Sequence, residues 1–174
     1  ENEATNVLAN GENVCNDCLS NSNLNQANIH IVSLQENKEL KEYYDQNKIK
    51  CGIFIEITKK EDFDKISNAD MIYFLSTKDI SEEVKEEISK LGSSGNIRIT
   101  VSPQKFINLC SVCTTYIKTN QDYKTIHRFL KEIIESIALP SLTCLDYADI
   151  KEFFMISSRM ELRKYQAELS EKDR

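Results

Sequence analysis

Two Cys-x-x-Cys pairs, Cys15-Asn16-Asp17-Cys18 and Cys110-Ser111-Val112-Cys113, have residue types and a spacing that could carry chemistry. Four thiolates so spaced suit structural zinc. A thiol on the first turn of a helix is also a redox candidate, because the positive end of the helix dipole stabilises its thiolate. Burial as small apolar side chains is the plainer reading of all four. Two carboxylates follow in Leu142-Thr143-Cys144-Leu145-Asp146-Tyr147-Ala148-Asp149-Ile150. Asp146 and Asp149 could orient an attacking water in phosphoryl transfer. They could equally cap a helix and charge its first turn. Lys78, in Ser76-Thr77-Lys78-Asp79, could touch a phosphate or stand solvated in its loop. His30 and His127 are isolated from any nucleophile pattern, and the sequence holds no G-x-S-x-G, H-E-x-x-H or Walker motif.

Alternating strands and helices must position these groups. Runs 28–34, 51–57, 71–75, 96–101 and 114–118 are rich in β-branched and aromatic residues and read as strands. The third is nearly all apolar, as a strand covered on both faces would be. Over 81–91, Val84, Ile88 and Leu91 share a helical face; Ser81 suits the N-cap and Gly92 the C′ position. Over 121–138, Ile126, Phe129, Leu130, Ile133, Ile134 and Ile137 make a longer stripe that Pro140 ends. The pattern predicts an α/β fold: a doubly wound, mostly parallel sheet with flanking helices. Residues 159–174 form a charged tail, a solvated helix or a strand without a partner.

The chain has 174 residues, 40% apolar and 29% charged, which suits one soluble domain. Lys+Arg number 22 against 28 Asp+Glu, giving a net charge of −6. That balance speaks against coating nucleic acid or an anionic membrane. No run approaches the roughly 18 apolar residues of a membrane span. Four glycines are few for an enzyme that cradles phosphate in glycine-rich loops. Six cysteines in a chain of this size do not demand disulfide staples, and no signal-peptide pattern follows Glu1. The expected compartment is the cytoplasm.

Several segments, in order, resemble the FtsZ/tubulin family. Residues 142–150 are similar to the L-I-N-x-D-F-A-D-V loop that follows the family's long central helix, and Ile133-Ile134-Glu135-Ser136-Ile137-Ala138-Leu139-Pro140-Ser141-Leu142 to the end of that helix. Val112-Cys113-Thr114-Thr115-Tyr116-Ile117-Lys118-Thr119-Asn120 resembles the V-D-T-x-I-x-I-P-N strand. Asn68-Ala69-Asp70-Met71-Ile72-Tyr73-Phe74 resembles G-A-D-M-V-F, and Gly11-Glu12-Asn13-Val14-Cys15-Asn16 resembles G-x-N-A-V-N. The resemblance implies a GTPase-domain fold over residues 1–158. It makes 159–174 a charged tail or the remnant of a missing C-terminal domain.

The departures shape the expected function. The family's G-G-G-T-G-[ST]-G phosphate loop reads Ser76-Thr77-Lys78-Asp79-Ile80-Ser81-Glu82-Glu83, with no glycine and three acids. The first loop keeps one glycine, Gly11, beside Glu12. By this alignment Gly11, Asn13, Asn16 and Lys78 are vestiges of a dismantled nucleotide site. In the family, the loop after the central helix gives acids to a neighbouring subunit's nucleotide. Asp146 and Asp149 match those acids, although Cys144 replaces the family's Asn. The alignment also sets Cys15 and Cys18 at the carboxyl end of the sheet and Cys110 and Cys113 near the other, against one shared zinc.

The chain is therefore expected to be a non-hydrolysing interaction protein with no cofactor or metal. It would use Asp146, Asp149, Cys144 and Tyr147 to engage a protein partner, an FtsZ-type filament subunit or itself. A GTP-binding, filament-forming protein with a rebuilt pocket, and a fold reused as an unrelated scaffold, are the alternatives.

Overall fold

The structure is a computed structural model that describes residues 27–66, 68–92, 95–103, 108–138, 147–157 and 159–163. Among the described residues six strands form one sheet: β1 (Ile29–Ser33), β2 (Gly52–Glu56), β3 (Met71–Leu75), β4 (Ile97–Ser102), β5 (Thr115–Lys118) and β6 (Arg159–Glu161). Their order is β2-β1-β3-β4-β5-β6, and every neighbouring pair runs parallel. The architecture is the α/β doubly wound one expected.

Both faces are covered, which is why the central strands carry apolar side chains without alternation. All five residues of β1 are buried, as are the first four of β3. On one face, helices α1 (Lys38–Gln46), α3 (Tyr123–Ala138) and α4 (Tyr147–Ile156) pack Leu40, Tyr44, Leu130, Ile134 and Phe154 onto Ile31, Tyr73 and Ile99. On the other, α2 (Glu82–Leu91) and the 3-10 turns Lys60–Ile66 and Asn108–Val112 bring Ile88, Phe63, Ile66 and Leu109 onto Ile72 and Phe74. No described helix is long and apolar enough to cross a membrane.

Local capping sets the helix starts. The Ser81 side chain accepts the Val84 amide at 3.4 Å, and Glu82 and Glu83 complement the positive end of α2. Asp122 Oδ1 accepts the Lys124 and Thr125 amides at 2.9 and 3.0 Å, starting α3 two residues after the predicted position. The sequence reading did not place α1, which Asn37 caps by accepting the Leu40 amide at 3.0 Å.

Gly92 departs from its expected role. Its φ is −62°, so it closes α2 in the right-handed region rather than the left-handed one. A Cβ there would lie 2.6 Å from an Arg98 guanidinium nitrogen, the far end of a flexible side chain that would have to shift. Arg98 Nη1 donates to the Ile88 carbonyl at 3.2 Å, satisfying one of the last acceptors of α2. The tail also differs in its first residues: β6 pairs with β5, and Met160 and Leu162 pack against the core while Arg159, Glu161 and Arg163 stay exposed.

Candidate functional site

Parallel topology concentrates loops at two edges of the sheet, and the residues of interest divide between them. At the carboxyl edge, β1 leads to α1 on one face and β3 leads to α2 on the other. A crevice opens at such a switch point. Here it encloses about 410 Å³. It is bordered by Ser33 at the end of β1 and Gln35 after it, Ser76 and Thr77 after β3, and Thr119 after β5, with Tyr44 of α1 among its walls. Among the described residues, its lining includes no acid or base other than tyrosine.

Lys78 lies outside this crevice. It is exposed and borders a shallower neighbouring groove shared with Glu36, Gln35 and Thr77. The loop that carries it is tied down by its own side chains. Ser76 Oγ donates to the Lys78 carbonyl at 2.7 Å, and Thr77 Oγ1 donates to Gln35 Oε1 at 2.7 Å. Asp79 Oδ1 accepts the Asn108 amide at 2.8 Å, while Asn108 Oδ1 accepts the Ile80 amide at 2.9 Å. These bonds hold residues 76–80 against the 3-10 turn Asn108–Val112. The acids at 79, 82 and 83 serve loop and helix locally.

The amino edge carries the other group. The Tyr147 hydroxyl donates to the Asp70 carbonyl at 3.0 Å, fixing the start of α4 beside the start of β3. Burial, and then the nearby Asp70 charge, push the Tyr147 hydroxyl above its ordinary value. Asp70 in turn accepts the Asn28 amide at 2.8 Å. Asp149 stands exposed in the first turn of α4, where a negative charge favours the helix. Tyr147 and Asp149 are thus brought together, while the length of β3 separates them from Lys78. Gly11, Asn13, Asn16, Cys15, Cys18, Cys144 and Asp146 lie outside the described residues.

The far end of α4 shows a feature the sequence reading missed. Phe154 is 1% exposed and meets Tyr73 edge-on, with ring centroids 6.0 Å apart. Thr115 Oγ1 donates to its carbonyl. Its neighbours Phe153, Met155 and Ile156 point outward and are 52%, 61% and 76% exposed. The last turn of α4 is thus apolar on both its inner and outer sides. Four consecutive large apolar residues, Phe153-Phe154-Met155-Ile156, were the available signal, since a packed helix face uses only about half of such a run.

The second cysteine pair sits just before β5. Burial pushes the Cys113 thiol up to about 12, which leaves it protonated and unreactive near neutrality. Among the described residues no group of His, Cys, Asp and Glu could hold a metal ion. His127 is buried with its Nε2 at 2.6 Å from the Asn47 carbonyl and its ring edge-on to Tyr43 and Tyr44. It is a packing residue of α3.

No protein-family model, curated protein or solved structure matches this chain.

Proposed function

We propose that the chain is a cytoplasmic, non-hydrolysing, FtsZ-like interaction protein. It acts as a partner or regulator of a cell-division or cytoskeletal filament. It docks through the amino edge of its sheet, using the 142–150 loop with Asp146 and Asp149, and α4 beyond it.

One observation carries this reading. The element that begins at Tyr147 and Asp149 ends in a turn that exposes Phe153, Met155 and Ile156. Clustered large apolar side chains held outward by a buried anchor are a feature of protein-binding surfaces. Asp149 in the first turn of the helix supplies orientation and partner choice, and the apolar turn supplies affinity.

Co-sedimentation with filaments of an FtsZ-type protein tests the proposal. The intact chain should pellet with the polymer. Asp146→Ala with Asp149→Ala, and separately Met155→Ser with Ile156→Ser, should leave it in the supernatant. A chain that never pellets, or variants that pellet like the parent, would refute the reading.

A further inference from the structure

Strand β2 ends the sheet on the side away from α4. Among the described residues its one strand neighbour is β1. Edge strands are usually blunted by lysine, proline or a bulge, because an open row of amides and carbonyls invites another strand. β2 reads Gly52-Ile53-Phe54-Ile55-Glu56 and carries neither lysine nor proline. Its register with β1 runs unbroken from Ile29 opposite Gly52 to Ser33 opposite Glu56, so no bulge turns it away.

Backbone parity sets which groups face outward. The Ile57 amide donates to the Ser33 carbonyl at 2.9 Å, so Ile57 turns its backbone toward β1. That direction alternates along a strand, so Ile53 and Ile55 also turn inward. Phe54 and Glu56 therefore turn their amides and carbonyls outward. The Gly52 amide is held by the Ile49 carbonyl at 3.2 Å, which leaves the Gly52 carbonyl on the outer side.

Side chains sort by the same period. Phe54 stacks on Tyr44 with ring centroids 4.4 Å apart, and Glu56 accepts the Asn37 amide at 3.1 Å, both on the α1 face. Ile53 and Ile55 take the opposite face. Ile55 packs against the core there, whereas Ile53 is 52% exposed.

We infer that β2 pairs antiparallel with β2 of a second copy of this chain, about a two-fold axis at Phe54, so that the two sheets become one. The strand is complementary to itself in this register. Each Phe54 amide donates to the other copy's Phe54 carbonyl, and each Glu56 amide to the other copy's Gly52 carbonyl. Each exposed Ile53 falls opposite the other copy's Ile55, in the closely spaced pairs where side chains meet best. Charge is also accommodated. Glu56 meets a glycine, and it keeps its own Lys41 at 3.8 Å. The two Glu56 residues stand roughly 14 Å apart along the ribbon, beyond the reach of screened repulsion. A two-fold contact of this kind uses both β2 edges and stops at two copies. Few hydrogen bonds and one apolar row make a small contact, so pairing belongs to the concentrated chain and the dilute chain stays single.

Sedimentation equilibrium and proton–nitrogen correlation spectra of the intact chain, from about 10 µM to about 1 mM, test this. The mass should rise from one chain toward two and no further. Over the same range the Phe54 and Glu56 amides should shift and exchange with solvent about tenfold more slowly, while the Ile53 and Ile55 amides, already turned to β1, should change far less. Ile53→Lys, at an exposed position, should keep the native spectrum and weaken pairing about tenfold or more, whereas Ile53→Val should pair like the parent. The inference is overturned if the mass stays at one chain throughout, if it passes two, or if Ile53→Lys pairs like the parent. It is equally overturned if the Phe54 and Glu56 amides are already protected in the dilute chain, since another part of the chain then covers this edge.

Discussion

Phe153 and Phe154 are adjacent in sequence and should differ sharply when truncated. Phe154 is 1% exposed, packs edge-on against Tyr73 and anchors α4 to the sheet. Phe154→Ala removes a fully buried ring from a site whose walls, β3 and β5, cannot collapse to fill it. The cost expected is about 3–5 kcal/mol. Phe153 is 52% exposed, so it gives up about half of the ~1.5–3 kcal/mol that full burial of such a side chain supplies. Its ring also meets Phe154 edge-on, with centroids 5.6 Å apart, a contact worth up to about 1 kcal/mol. Phe153→Ala should therefore cost about 1–2 kcal/mol. Met155→Ser and Ile156→Ser, at 61% and 76% exposure, should each change stability by about 0.5 kcal/mol or less. Urea unfolding followed by circular dichroism measures all four, provided the slope with denaturant stays constant. Partner binding should rank them differently: the three outward residues should matter for it although two are neutral to stability. If Phe154→Ala costs about 1 kcal/mol or less, or Met155→Ser costs more than about 2 kcal/mol, the inner and outer sides of this turn have been assigned wrongly.

Three other perturbations follow from the packing. Gly92→Ala should change stability by about 1 kcal/mol or less, because losing the Arg98 bond to the Ile88 carbonyl offsets the better helix propensity of alanine; in an Arg98→Met background the same change should stabilise by about 1 kcal/mol. A double-mutant cycle in urea reads that difference. Burial lowers the pKa of both His30 and His127 from 6.5, with Asp70 opposing the shift at His30 and the Asn47 carbonyl opposing it at His127. The folded state therefore binds fewer protons than the unfolded one, so stability is full above about pH 6.5 and falls as the pH drops through the lower folded values; His127→Gln should flatten the slope of the urea midpoint between about pH 7.5 and 5. Cys113, pushed up to about 12, should resist alkylation by iodoacetamide in the native chain at neutral pH and react once the chain is unfolded, as mass mapping of the peptide would show.

Strands were the most legible part of the fold. Met71-Ile72-Tyr73-Phe74-Leu75 could only be a strand buried on both faces, and β4 and β5 announced themselves by β-branched runs flanked by helical patterns. Helix α1 was harder, because Lys38 to Gln46 is mostly charged and its face rests on Leu40, Tyr43 and Tyr44 alone. Asn37 followed by Leu40 and Tyr44 was the readable cue, a cap and two residues on one helical stripe. Strand β6 has three residues, too few for a period to show, and its pairing depends on β5.

Site features divide along the same line. The place of Asp149 in the first turn of a helix was foreseeable from local spacing. The surroundings of Gly92 were not, because the atom that a side chain there would meet comes from Arg98 on the next strand. The crevice was equally hidden: Gln35, Tyr44, Thr77 and Thr119 are distant in sequence and meet only because four parallel strands end together.

The measurement that tests the central claim most directly is the assembly of an FtsZ-type protein, followed by light scattering, with the intact chain added far below equimolar. A partner that docks through one edge and offers no second interface should shorten or delay assembly substoichiometrically, and the Met155→Ser, Ile156→Ser variant should have no such effect. Assembly that proceeds unchanged at every ratio, or an effect equally strong with the variant, would contradict the account.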